Sequence, residues 1–173
     1  MPFAYFDRLS ITARRVYLAS DGIREVALPD AEMLHPLLPV LREALLRDDH
    51  HAVAATADAL VLGITKLMRV PDVTVVVLAA RPRRKGSELH GLYTATPGRK
   101  PQIKVWMRTA ALGKVVAFKT FLRTLLHEVL HHLDYAHYKF RDSFHTAGFY
   151  SRESSLVRQL IGDAKRPVAP IEP

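Results

Sequence analysis

Two histidines and a glutamate form the pattern in this chain that is best suited to catalysis. They are His127, Glu128 and His131, in the order His-Glu-x-x-His. On a helix, residues four apart share a face, so both imidazoles can reach one metal ion. Glu128 would project about 100° from His127, which places its carboxylate beside the ion rather than on it. There it could take a proton from zinc-bound water and pass it to a leaving amine.

The residues around this motif favour a helix with one buried face and one open face. Apolar residues recur on the side opposite the histidines: Phe118, Leu122, Leu125, Leu126, Val129 and Leu133. A helix that is buried along one side can offer its other side to a polar cleft, as a metal site requires. The sequence therefore predicts a long helix over residues 115–137 that contributes two zinc ligands.

A catalytic zinc site usually has three protein ligands and a water, so a third ligand must follow the motif. His132 and His137 lie off the histidine face, and we expect them to be solvated or to contact nucleic acid rather than metal. Asp134 lies on that face but one turn too far along for the same ion. It could support a ligand from behind, or it could be an ordinary solvated charge.

Two residues further along the chain are the remaining candidates, His145 and Glu153. Both belong to a predicted helix over residues 144–161 and lie about 12 Å apart by helical rise, so they cannot bind the same ion. His145 stands at the start of this helix, after a polar stretch that predicts a turn. A chain reversal there could return the first turn to the motif helix.

The spacing of the third histidine gives a family resemblance. His145 follows His131 after 13 residues, and Phe149 comes four residues later. This arrangement, with the order helix, strand, strand pair and motif helix, resembles the SprT-like metallopeptidases (the Spartan protease family) over roughly residues 52–162. The resemblance implies a zinc metalloendopeptidase with Glu128 as catalytic base and Phe149 packed beneath the third ligand. The implied ligands of one Zn²⁺ ion are His127, His131 and His145.

A second resemblance, to the gluzincins, leads to a different third ligand. Gluzincins, which include small thermolysin-like proteases, combine the same motif with a glutamate on a later helix, and that position would fall on Glu153. A protein of this kind could be a regulatory protease that cleaves one repressor. We favour His145, because its flanking residues fit better and Glu153 could instead form a salt bridge or support a ligand.

The remaining hydrophobic patterning predicts an α+β fold. Helices are predicted over residues 31–47 and 52–68, and Pro36 and Pro39 should make the beginning of the first one irregular. Short apolar runs predict strands over residues 73–80, 89–95 and 103–107. The SprT-like resemblance makes this a zincin-like single domain, with a small mixed sheet packed on helices and a long motif helix.

The same reasoning divides the chain into three parts. Residues 1–50 are predicted to form an N-terminal helical extension packed on the core, with no counterpart in the family. Residues 51–162 would form the SprT-like metallopeptidase core. Residues 163–173 contain three prolines and predict a flexible tail.

The third predicted strand is the candidate for substrate binding. In zincins a protein or peptide substrate commonly lies along a strand at the rim of the cleft, where backbone hydrogen bonds provide affinity. The strand just before the motif helix supplies the candidate residues Ile103, Lys104, Val105 and Trp106. Three tyrosines near the motif could also stabilise an oxyanion, although packing is the simpler role for each: Tyr135, Tyr138 and Tyr150.

Positive charge is concentrated in one segment. The net charge of the 173-residue chain is +8, and residues 81–108 hold eight basic residues and one acid, Glu88, which amounts to +7. Such a segment could guide nucleic acid or acidic protein to the cleft. The candidate DNA contacts are Arg83, Arg84 and Lys85.

The composition excludes several classes of protein. With no cysteine, the chain can have no disulfide framework, no thiol nucleophile and no cysteine-ligated zinc, including the zinc ribbon that many family members carry. No apolar run approaches the ~20 residues of a membrane span, and no secretory signal is recognisable. We therefore expect a cytoplasmic protein with no membrane contact. The rival class is a non-catalytic zinc-binding or nucleic-acid-binding protein of the same fold.

Overall fold

A computed structural model describes residues 3–82 and 89–162 of the chain. The described residues form five α-helices and three strands, which confirms the predicted α+β class. The helices are α1 (Ile11–Gly22), α2 (Leu37–Leu46), α3 (His50–Leu67), α4 (Phe118–Ala136) and α5 (Ala147–Ile161). The strands are β1 (Thr74–Ala80), β2 (Gly91–Thr94) and β3 (Gln102–Arg108), and short 3₁₀ turns occur at Phe6–Arg8 and Ala31–Leu34.

The three strands form one mixed sheet in the order β1-β3-β2. β1 runs parallel to β3, and β2 runs antiparallel to it. β3 therefore occupies the centre of the sheet, while β2 forms the edge beside α4. The two antiparallel strands join through a turn at Gly98, whose φ of 76° favours glycine.

One face of the sheet packs on α3 and α4 to form the hydrophobic core. Val77, Ile103 and Val105 point to this side, where Leu60 of α3 and Leu126 of α4 meet them in one buried cluster. The motif helix α4 is nearly as long as predicted because its apolar stripe recurs without interruption. Its buried face is not entirely apolar, since Glu128, His132 and Asp134 are also buried there.

Residues 3–50 contribute to this interior. Leu38, Leu41 and Leu45 of α2 belong to the same hydrophobic cluster as the sheet and α4, and α1 packs against α5. The helix predicted over residues 31–47 is interrupted, as expected from its prolines: a 3₁₀ turn precedes α2. Sequence patterning did not predict α1, whose only buried residues are Tyr17 and Ser20.

None of the helices in residues 3–82 and 89–162 combines the length and apolarity needed to cross a bilayer. The predicted tail, residues 163–173, lies outside the described residues.

Candidate metal centre

Three histidines converge at the open face of α4. His127 and His131 come from consecutive turns of this helix, and His145 comes from the loop that precedes α5. The Nε2 atom of His145 lies 2.9 Å from that of His127 and 3.1 Å from that of His131. Among the described residues, these three form the group of side chains whose spacing suits a metal ion.

The second ring nitrogen of His127 is held by Glu153. Its Nδ1–H donates to Glu153 Oε2 at 2.8 Å, and Arg123 donates to the other carboxylate oxygen at 2.8 Å. Because the carboxylate can only accept here, a neutral His127 carries its proton on Nδ1 and has a lone pair on Nε2. Glu153 is therefore placed behind His127, away from the point where the three Nε2 atoms meet.

The second ring nitrogen of His131 begins a longer chain of hydrogen bonds. Its Nδ1–H donates to Ser143 Oγ at 2.7 Å, and the Ser143 hydroxyl donates to Asp134 Oδ2 at 2.7 Å. Arg152 donates to Oδ1 of the same carboxylate at 2.9 Å. This chain fixes the tautomer of His131 and leaves the Nε2 lone pair facing the other histidines. Asp134, which is fully buried, thus acts on a ligand from behind.

These tautomers fit a bound cation. The Nε2 atoms of His127 and His131 both offer lone pairs toward Nε2 of His145, which can donate at most one proton. Hydrogen bonding within the cluster therefore cannot satisfy all three nitrogens, whereas one metal ion can. The three imidazoles are the residues that could hold it.

The electrostatics keep His131 and His145 in their metal-binding form. Burial, together with the neighbouring His127 and His145, lowers the pKa of His131 to about 3. Burial also lowers the pKa of His145, to which His127 again contributes. Neutral imidazole is the form that ligates metals, so these two histidines are ready to bind at neutral pH.

Glu128 lies beside the cluster under the edge strand. Its side chain is buried, which raises its pKa to about 7, while His127 and a hydrogen bond from the Tyr93 backbone act in the opposite direction. Gly91 of β2 lies directly against it: a Cβ there would stand 2.7 Å from Glu128 Cγ and 2.8 Å from Cδ. A glycine is thus what allows β2 to approach this carboxylate so closely.

Phe149 supports all three histidines at once. Its ring is fully buried, with centroid distances of 4.9 Å to His127, 4.8 Å to His131 and 5.2 Å to His145. This is the packing position that the family resemblance implied.

An open cleft of about 730 Å³ lies over the histidines. The strand β2 and the residue before it form one wall, with His90, Leu92 and Tyr93. Tyr135 and Tyr150 also line the cleft, whereas Tyr138 packs away from it, under the guanidinium of Arg152.

The prediction that substrate pairs with the third strand is wrong. Ile103, Lys104 and Val105 are paired on both sides, with β1 and with β2, so their backbone groups cannot accept another strand. Trp106 is buried and pairs with Leu78 of β1, and none of the four residues lines the cleft. Among the described strands, the one with an edge at the cleft is β2.

The basic segment does not form one surface in the part that the structure describes. Arg81 is buried and Arg108 is bound to Asp48 at 2.6 Å, whereas Arg99 and Lys100 are exposed on the turn before β3. Arg83, Arg84 and Lys85, the predicted DNA contacts, lie outside the described residues.

Sequence reasoning missed several residues that support the site. His132, which we expected to be solvated, is 2% exposed. It donates from Nε2 to the Pro71 carbonyl at 2.7 Å and accepts at Nδ1 from the Tyr93 hydroxyl at 3.2 Å. The roles of Ser143 and Arg152 left no sequence signal, because they depend on how the loop before α5 folds. The supporting role of Asp134 was one of two roles considered from the sequence, because this residue lies on the histidine face of the motif helix.

Comparison with protein-family models, with curated proteins and with solved structures finds no match to this chain.

Proposed function

We propose that this protein is a zinc-dependent metallopeptidase with a zincin-like fold of the SprT type. The observation that carries the proposal is the convergence of three histidine Nε2 atoms next to a buried glutamate. Hydrogen bonds at Nδ1 fix the tautomers of His127 and His131. The edge strand that borders the motif helix and the cleft supports the same fold assignment.

The donor set favours zinc. Zn²⁺ binds imidazole nitrogen at about 2.0–2.1 Å, so tetrahedral ligand atoms lie about 3.3 Å apart. The closest Nε2 separations, 2.9 and 3.1 Å, are near that value. Three protein ligands with an open cleft on the remaining side is the arrangement of a catalytic rather than a structural zinc site. His127, His131 and His145 would hold the ion, and Glu153 would orient His127.

Zinc in this position would supply a Lewis acid that activates water and polarises a carbonyl. Glu128 accepts the proton of the attacking water on its carboxylate and then donates it to the nitrogen of the leaving amine. A buried carboxylate beside the three histidines suits both halves of this transfer, because burial raises its pKa and so favours proton uptake. The Tyr93 backbone and Gly91 keep the carboxylate in place.

The substrate proposed for this site is an extended peptide that adds to the free edge of β2. Gly91 and Tyr93 alternate with Leu92 along the strand, so their outward backbone groups share the side away from β3. The Tyr93 backbone N–H already donates to Glu128, so the peptide would pair with the remaining outward groups of this edge and lie next to the proposed base. Backbone pairing gives affinity with little sequence preference.

The test is hydrolysis of a mixed peptide library, read by mass spectrometry, by zinc-loaded protein with and without Glu128→Gln. We expect the wild type to cleave. Glu128→Gln should be at least about 100-fold slower, the usual contribution of a general base, while retaining its zinc. The matched control is Glu43→Gln, an exposed glutamate of α2, which should cleave like the wild type.

Two results would count against the proposal. If Glu128→Gln cleaves as fast as the wild type, Glu128 is not the base. If wild-type protein with bound zinc cleaves nothing in the library, the rival reading gains, in which the chain is a non-catalytic zinc-binding or nucleic-acid-binding protein. Contact with DNA through residues 81–108 stays a separate prediction.

A further inference from the structure

The third histidine differs from the other two because no helix holds it. His127 and His131 are fixed by α4, whereas His145 lies in the irregular chain between α4 and α5. A ligand on such a loop must be ordered by other contacts before a metal can bind tightly. In this structure several of those contacts come from residues 3–23.

Tyr5 holds the backbone of His145 directly. Its hydroxyl donates to the His145 carbonyl at 3.1 Å. The Tyr5 ring packs edge-on against Tyr17 of α1, with centroids 5.9 Å apart, and stacks on Phe144, the residue before the ligand, at 6.5 Å. The N-terminal segment, residues 3–23, therefore holds the loop through contacts with Phe144 and His145.

The end of α1 holds the chain just after His145. Asp21 Oδ1 accepts a hydrogen bond from the Gly148 backbone N–H at 2.8 Å, in the first turn of α5. The two backbones touch there: a Cβ on Gly148 would collide with the Asp21 carbonyl oxygen and lie 2.6 Å from that of Ser20. Only glycine at position 148 allows this contact.

The same end of α1 also contacts the hydrogen-bond chain that orients His131. The fully buried Arg152 donates to the carbonyls of Ser20 and Ile23, to Ser20 Oγ and to Asp134 Oδ1. Asp134 in turn accepts from Ser143, which accepts from His131. Two of the three histidines thus depend on residues from the N-terminal segment.

We propose that residues 3–23 are a positioning part of the metal centre, which orders His145 and the hydrogen-bond chain behind His131 so that zinc binds tightly. The inference rests on the proposed metal site. It assigns a role in metal binding to a segment that has no counterpart in the family the sequence resembles.

Gly148→Ala tests this inference, because its methyl group pushes α1 away from α5 without altering a ligand. The matched control is Gly22→Ala at the end of α1, where a Cβ meets nothing within 4 Å. Zinc affinity is measured by competition with a chromogenic chelator, and ligand geometry by the visible spectrum of the Co²⁺ form. We expect Gly148→Ala to bind zinc about 10- to 100-fold more weakly, the usual effect of losing ligand support, and to change the Co²⁺ spectrum.

The rise in melting temperature on adding zinc distinguishes positioning from general stability. A merely structural change lowers the melting temperature of the metal-free protein but leaves the increment from zinc unchanged. The proposal requires the increment to shrink in Gly148→Ala and to stay at the wild-type value in Gly22→Ala. Tyr5→Phe removes only the hydroxyl that donates to the His145 carbonyl, so it should show a smaller loss in zinc affinity, about 3- to 10-fold. This variant replaces Gly148→Ala in the test if Gly148→Ala does not fold.

The inference is overturned if the folded variants bind zinc with wild-type affinity and show the wild-type rise in melting temperature on adding zinc. That result leaves the proposed function intact, since wild-type zinc binding is measured in the same series. If the wild type itself binds no zinc, the proposed function is wrong, and this inference, which rests on it, is wrong as well.

Discussion

Each of the two motif histidines uses its second ring nitrogen on a protein partner. Glu153 accepts from His127, and Ser143 accepts from His131. The partners differ in charge, so they should differ in effect: a carboxylate raises the basicity of an imidazole more than a hydroxyl does. Glu153 is also nearly buried and paired with Arg123, which fixes its orientation.

Replacing Glu153 with glutamine should weaken zinc binding without abolishing it. The amide oxygen can still accept from His127 Nδ1, but the negative charge and the Arg123 ion pair are lost. We expect about 10-fold weaker zinc affinity and an unchanged ligand count in the Co²⁺ spectrum, measured beside the exposed control Glu32→Gln. A change in ligand count would mean that Glu153 itself binds the metal, as the gluzincin resemblance implied.

At this scale local periodicity predicted the residues of the motif, whereas His145 and Phe149 came from the family resemblance. His127, Glu128 and His131 follow from helical spacing, which is a property of neighbouring residues. The position of Glu153 behind His127 could not be decided from sequence, because it depends on the angle between α4 and α5. Ser143 was missed for the same reason, since a loop conformation brings it to His131.

Among the elements, β2 and α4 are in contact where the cleft wall meets Glu128, the proposed base. Gly91 leaves just enough room for the Glu128 side chain, and the Tyr93 backbone donates to its carboxylate. Any side chain at position 91 must displace the Glu128 side chain from Cγ outward, on the side that faces the cleft. The cost should therefore appear in the position of the base rather than in folding.

Gly91→Ala should lower kcat while zinc affinity and melting temperature stay near the wild-type values. A displaced base loses much of its contribution, so we expect a decrease of about 10- to 100-fold. The control is Thr94→Ala, an exposed residue at the end of the same strand that does not line the cleft. A variant with full kcat would show that Glu128 does not need its present position.

The existence of the strands was predictable, but their order was not. The apolar runs over residues 73–80 and 103–107 mark buried strands, and both were found within a residue or so of the expected bounds. That β3 lies between β1 and β2 depends on pairing between residues far apart in sequence. This is why the substrate strand was assigned to β3, although the free edge belongs to β2.

For the whole molecule, the hydrophobic core is built without the three histidines and meets them through Phe149. The core cluster joins α2, α3, the sheet, α4 and α5, whereas the three histidines lie at the cleft. A chain of this length buries enough apolar surface to fold without a metal. Zinc should therefore add stability to a protein that is already folded.

Removal of zinc with a chelator should leave the helical circular dichroism spectrum almost unchanged and lower the melting temperature. Binding at 1,000 times the dissociation constant is worth about 4 kcal/mol, which corresponds to roughly 10 °C for a chain of this size. If the chelated protein instead loses its helical signal, folding depends on the metal, and the claim that the apolar core is sufficient for folding is wrong.

The central claim is that His127, His131 and His145 hold one zinc ion. The most direct measurement is the zinc content of purified protein, after equilibration at a buffered free zinc concentration, for the wild type, His145→Ala and His51→Ala. His51 is an exposed histidine of α3 and serves as control. We predict one zinc per chain in the wild type and the control, and little or none in His145→Ala. A wild type without zinc, or a His145→Ala variant that retains it fully, would contradict the claim.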